Sequence, residues 1–202
     1  MSTGKRAGGG RPTTYRKLML AEGERLFHLR GFRATTVNDI LEAAGVPKGS
    51  FYHYFGSKAK FGAAVIEDYT NAQIELFRSW ADRDGLSIAE RFGGYFDDMI
   101  RDFVSSDYST SCLLSRFASD VAATDPGLRS KINESYARLY SAYVELLGVA
   151  RERGELAAGA DIAGRAATIL ALVQGAFVVG LANRNVDYLE SVAKNIRDLA
   201  AA

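Results

Sequence analysis

Apolar residues recur at three- and four-residue steps along most of the chain, the spacing that lines one face of an α-helix. Met19, Leu20, Gly23, Leu26 and Phe27 share a face of a helix predicted over residues 14–30, which Gly31 stops. In "TTVNDILEAAGV", Thr36 is placed to cap a second helix, and Asp39 sits three positions on, where negative charge suits a helix N-terminus. Val37, Ile40, Leu41 and Ala44 form its apolar stripe, Gly45 ends it, and Pro47 suits the first turn of a third helix. Two short helices joined by a tight glycine-containing turn make a helix-turn-helix, here at about residues 35–55. Beyond it the stretches lengthen. A helix capped by Ser57 is followed by one with Ile88, Phe92, Tyr95, Phe96, Met99 and Phe103 on its inner face. A shorter helix closes at Thr124-Asp125-Pro126, and further helices are predicted over 127–153, 161–183 and 186–201. No strand pattern competes. The chain reads as all-α, with an arm at 1–10, a three-helix head at 11–70 and a second helical unit at 71–202.

The run "VPKGSFYHYFGSK" sharpens this picture, because no helix buries five neighbouring aromatic and histidine side chains at once. At about 100° per residue, Phe51 and Phe55 share one face, which must be the buried one. Gly49 and His53 then stand at the opposite crest, with Ser50 on its shoulder and Tyr52 and Tyr54 on the flanks. That arrangement suits a duplex groove: the crest reaches base edges, while tyrosine hydroxyls and the ammoniums of Lys48 and Lys58 meet phosphates. Charge agrees. Residues 1–60 carry eleven Lys/Arg against four Asp/Glu, 11 − 4 = +7, and the remainder 14 − 20 = −6, which the whole-chain value of +1 conceals.

"TTVNDILEAAGVPKGSFYHYFGSKAKFGAAVIEDY" resembles the DNA-binding domain of the TetR family of bacterial transcriptional regulators, over about residues 11–69. By that resemblance Thr36 opens the first helix of the motif and contacts phosphate. Lys48, Ser50 and His53 face bases, and Tyr52, Tyr54 and Lys58 hold the backbone. Gly23 departs from the alanine common in the family. The resemblance further implies a homodimer on a near-palindromic double-stranded operator, a small-molecule effector, repression as the usual sign, and a cytoplasmic location. The last two helices of each chain would form the dimer interface. Lys5, Arg6 and Arg11 of the arm are placed either to enter the minor groove or to add general attraction.

Inventory argues against catalysis. His28 and His53 are the only histidines, both in the head, and one cysteine with no Cys-x-x-Cys leaves neither a triad nor a zinc site. No metal or cofactor is expected, and the acidic "DDMIRD" reads as a solvated face. The uncharged "AATILALVQGAFVVGLA" is short for a bilayer span and reads as a buried helix rather than a membrane anchor. Cys112 supports two readings. It is a small buried hydrophobe, or a thiol activated at the start of a helix capped by Ser109 or Thr110, with Arg116 above it. "SCLLSRFASDV" is similar to the family branch that senses electrophiles or acrylate-like molecules, although Ser111 and Asp120 depart from that branch's pattern. Trp80, Tyr95, Met99, Cys112, Phe117, Tyr140, Gln174 and Phe177 are expected to line an effector pocket with polar anchors on apolar walls. Two competing functions remain at this stage: a constitutive architectural DNA binder without an effector, and a helical interaction module without DNA.

Overall fold

In the computed structural model, which describes residues 12–202, helix α1 (Pro12–Arg30) buries Met19, Leu20, Leu26 and Phe27. The arm's Lys5, Arg6 and Arg11 lie outside the described residues. Helix α2 (Val37–Ala44) begins with a full capping box. Thr36 Oγ1 accepts from Asp39 N at 3.1 Å, and Asp39 Oδ2 accepts from Thr36 N at 2.7 Å. Gly45 closes the helix at φ 62°, a left-handed conformation that costs glycine little and lets the chain turn at once into α3 (Lys48–Phe55). Pro47 is the cap residue of α3, one position earlier than its placement in the first turn.

Helix α4 (Lys58–Ala81) starts from Ser57, whose hydroxyl accepts from Lys60 N, and runs unbroken out of the head into the second unit. There follow α5 (Ile88–Ser105), α6 (Leu113–Val121), α7 (Pro126–Glu152), α8 (Ile162–Asn183) and α9 (Val186–Ala201). Helix α5 is opened by a Ser87–Glu90 box and α7 by Asp125 ahead of Pro126. In the second unit α4 packs on α7, α5 on α9, and α8 across α7 and α9. Among the described residues all regular structure is helical.

Two apolar clusters result. One gathers the head with α6 and the start of α7; the other fills the space between α5, α7, α8 and α9. Helix α8 is long and apolar enough to cross a membrane by length and composition alone. One of its faces is packed, through Ile169, Val173, Ala176 and Phe177, while Val178, Val179 and Leu181 are exposed.

The first cluster also explains Gly23. A Cβ there would lie 2.3 Å from Cζ of Phe61, a fully buried ring from α4, so the absent side chain is what lets α4 approach α1. Gly23→Ala gains about 1 kcal/mol of helix propensity. Forcing the ring aside costs about 1–3 kcal/mol. The expected outcome is a lower urea midpoint with unchanged slope, a net loss of up to about 2 kcal/mol. A stabilised variant would show that the ring is not pinned.

Candidate nucleic-acid interface and effector cavity

Helix α3 divides as its periodicity demands. Phe51 and Phe55 are buried, their ring centroids 5.1 and 4.7 Å from that of Phe61 at the start of α4. On the other side Lys48, Gly49 and His53 are exposed, and Tyr52 is 62% exposed. Ser50 is half-buried on the shoulder. Tyr54 is also half-buried, packing on the head's core with its ring 5.0 Å from that of His53. No carboxylate stands on this helix.

Two other residues assigned to DNA occupy themselves differently. The Lys58 ammonium lies 4.5 Å over the ring of Phe32 and donates to the carbonyl of Arg33 at 3.3 Å. Burial pushes its pKa down. It is turned onto the head's own surface. The Thr36 hydroxyl both accepts from Asp39 N and donates to Asp39 Oδ2, so it is spent within the cap. The hydrogen bonds from the Thr36 backbone and side chain hold the Asp39 carboxyl below the usual carboxylate range. That pairing therefore stabilises the head above the unfolded carboxylate pKa and is lost as pH falls through the depressed folded value. Arg16 was not foreseen. Its exposed guanidinium lies 5.8 Å over the Phe55 ring, at the edge of α3, although almost forty residues separate the two in the chain.

Helix α6 grips the head. Arg116 donates from Nε to the carbonyl of Phe27 at 3.0 Å and from Nη2 to that of Leu29 at 3.3 Å, closing the C-terminal end of α1. Asp120 Oδ2 accepts from Arg33 N at 2.9 Å, and the Arg33 guanidinium bonds Thr124. Arg116 is thus committed to α1 and does not stack above Cys112. Ser109 and Thr110 do not cap α6 either. Both donate backbone N–H groups to Ser106 Oγ, and Cys112 itself is the cap residue, with no side-chain cap bond.

At the opposite end of α6 is a cavity of ≈ 230 Å³ between α1, α4, α5 and α8. Met99, Cys112 and Phe177, three of the expected pocket residues, share its wall with His28, Tyr69 and Gln73. The other five are elsewhere. Tyr95 is buried behind the cavity, its ring 5.2 Å from Phe77, and Phe117 lies at the head junction, 5.2 Å from Phe27. Trp80 donates to Asp98 at 2.8 Å and stacks under Arg83 on another side of the unit. Tyr140 and Gln174 face an open groove between α7 and α8, where Gln174 Oε1 accepts from Ser115 Oγ at 2.8 Å.

Cys112 is buried among phenols rather than cations. Burial first, and then the nearby thiol, push the hydroxyl of Tyr69 well above its ordinary pKa; the same two causes push Tyr136 up to about 12. These hydroxyls are hydrogen-bonding groups, not anions, at any physiological pH.

Comparison with known proteins accords with this geometry. Residues 19–65 match the model of the bacterial regulatory proteins of the tetR family, and residues 89–195 match that of the LmrA/YxaF-like transcriptional regulator C-terminal domain. The transcriptional repressor NemR of Escherichia coli is 26% identical over 186 residues, covering 92% of this chain and 94% of NemR. The crystal structure of its reduced form superposes with a TM-score of 0.83, over 91% of this chain and 95% of that one. A TetR regulatory protein from Rhodobacter sphaeroides, 24% identical, shares the fold at a TM-score of 0.85, covering 92% and 98% of the two chains. The transcriptional regulator AcuR of Cereibacter sphaeroides is 60% identical over 40 residues, 20% of this chain and 18% of AcuR. A duplex-reading head joined to a helical ligand and dimerisation domain, matched by family models over both parts, makes this chain a member of the TetR family of transcriptional regulators, which are not enzymes.

Proposed function

We propose that the chain is a homodimeric repressor, acting in the cytoplasm, whose hold on a palindromic operator is released when a small molecule fills the cavity beside Cys112. The observation that carries this reading is the double engagement of α6. Thr110 and its cap residue Cys112 wall the cavity, and Arg116 and Asp120, one and two turns on, fasten the helix to the head. A ligand that favours one setting of α6 necessarily biases the head, by no more than its differential affinity for the two settings.

In this reading residues 11–70 form the head and 71–202 the effector and dimerisation unit, with α4 shared between them. Lys48, Gly49, Ser50 and His53 meet base edges. Tyr52, Tyr54, Arg16 and the N-terminal end of α2, beside Thr36, meet phosphates. Lys58 serves the head's integrity more than the duplex. The uncharged outer face of α8, with Val178 and Val179 exposed, suits a second copy of the same surface. Such a dimer sets its two reading helices about 34–36 Å apart, one turn of the duplex.

A second reading of the effector, as an electrophile captured by Cys112, is favoured by the thiol's place on the cavity wall. A constitutive architectural DNA binder leaves both the cavity and the α6 clamp without a role.

Purified protein titrated against its own upstream DNA and random duplexes over a salt series should select sites of two related half-sites. Affinity should fall steeply with salt, by a log–log slope of about 0.9 for each phosphate neutralised. Salt-independent or absent duplex binding would overturn the reading. Arg116→Ala, which frees the last carbonyls of α1 at a cost of about 1–3 kcal/mol, should bind effector as before yet respond to it with a several-fold smaller loss of operator affinity. Undiminished release would rule out α6 as the lever. In the same titration Cys112→Ser should keep its response to non-covalent effectors, and an unchanged response to an electrophile would dismiss covalent capture.

A further inference from the structure

The reading of the cavity as an effector site leaves open what chemistry it takes, and His28 bears on that. This imidazole comes from α1, a helix of the DNA-binding head, yet it is only 6% exposed and forms part of the cavity wall. Its Nδ1 is buried with no hydrogen-bond partner, and its Nε2 stands 3.9 Å from Glu24 Oε1. With the ring proton on Nε2, facing that carboxylate, Nδ1 presents a lone pair with nothing to accept from. A buried polar atom in that condition is costly; Nδ1 is itself sealed from solvent, so a ligand in the cavity recovers the cost by turning the ring until Nδ1 reaches the wall. The neighbouring phenol of Tyr69 does not supply it, being engaged with Cys112 and the Leu113 backbone.

The remaining lining narrows the ligand further. Glu24 and Asp102 both contribute to the wall, and no lysine or arginine does, so the site's field disfavours anions. Met99, Leu76 and Phe177 offer soft apolar surface. The ≈ 230 Å³ of space is roughly eight water volumes of about 30 Å³ each. It is smaller than the usual range for drug-sized ligands, which begins at about 300 Å³.

We propose that the cavity binds a small uncharged or cationic molecule whose O–H or N–H donates to Nδ1 of His28 while a flat apolar portion rests on Met99 and Phe177, and that it rejects carboxylates. Occupancy is transmitted directly to the head, because His28 follows Phe27, whose carbonyl Arg116 holds. The assignment rests on the effector reading but is tested without DNA.

The probes are benzyl alcohol, benzylamine, toluene and benzoate, each titrated to about 10 mM, since molecules of this size bind weakly even in good sites. Binding to the full-length protein is read by calorimetry and by the imidazole nitrogen resonances of His28. Benzyl alcohol and benzylamine should bind and move the Nδ1 resonance, and benzoate should bind at least about tenfold more weakly. His28→Phe should reduce benzyl alcohol to the level of toluene, a loss of roughly tenfold, whereas His28→Asn, which keeps a polar atom near the Nδ1 position, should retain the preference. The nitrogen resonances in the unaltered protein decide the matter should the phenylalanine variant fold poorly. Benzoate binding as well as the alcohol, an unmoved Nδ1, a preference that survives His28→Phe, or no binding by any probe would each overturn the assignment. Parallel operator titrations separate the two proposals. Binding that depends on His28 but leaves operator affinity unchanged upholds this assignment and removes the effector reading.

Discussion

Everything the head does depends on a three-ring joint. Phe51 and Phe55 from α3 close on Phe61 from α4, with centroids within 5.1 Å of the last ring, and Phe61 in turn presses on the bare backbone of Gly23 in α1. Aromatic rings in tilted and edge-on contact contribute both buried area and a preferred geometry. The joint therefore fixes α3 in rotation as well as in place. Because Phe51 and Phe55 are four residues apart, burying them forces Gly49 and His53 outward. The face proposed to read DNA is thus a consequence of the core, not an independent design.

The same economy governs the connection to the second unit. Helix α4 begins at the joint and continues without a break to Ala81, so its tilt is shared by head and body. Helix α6 reaches the head from the other side, through the α1 carbonyls and the Arg33–Asp120 contact. The cavity lies where α1, α4, α5 and α8 meet the start of α6. Both routes to the head pass its wall, Tyr69 and Gln73 on α4 and Cys112 at the entry to α6, and His28 places a residue of the head in the wall itself.

The sequence made the head legible because its signals are local. Caps at Thr36 and Ser57, the turn at Gly45 and the Phe51–Phe55 spacing each act within a few residues, and short-range rules suffice for them. The effector site was legible only as composition. Tyr95, Phe117, Tyr140 and Trp80 look alike in periodicity, yet one is core, one junction, one groove and one is tied up by Asp98. Which of several apolar clusters an aromatic joins is set by how the helices cross, and no residue spacing records that. Lys58 and Arg116 are informative: each is a cation near a candidate site, and each is held by carbonyls distant in sequence, which no residue spacing records. His28 follows Phe27 on a buried stripe, where a histidine ordinarily means satisfied packing. Only its empty Nδ1 distinguishes it.

The claim that the ring joint aims α3 at base edges is most directly tested by operator selection from randomised duplexes, comparing the unaltered protein with His53→Ala and Tyr52→Phe. The account predicts that His53→Ala relaxes preference at one symmetric position in each half-site, by about 1–3 kcal/mol, while Tyr52→Phe weakens all sequences alike. An unchanged sequence preference in His53→Ala would contradict it.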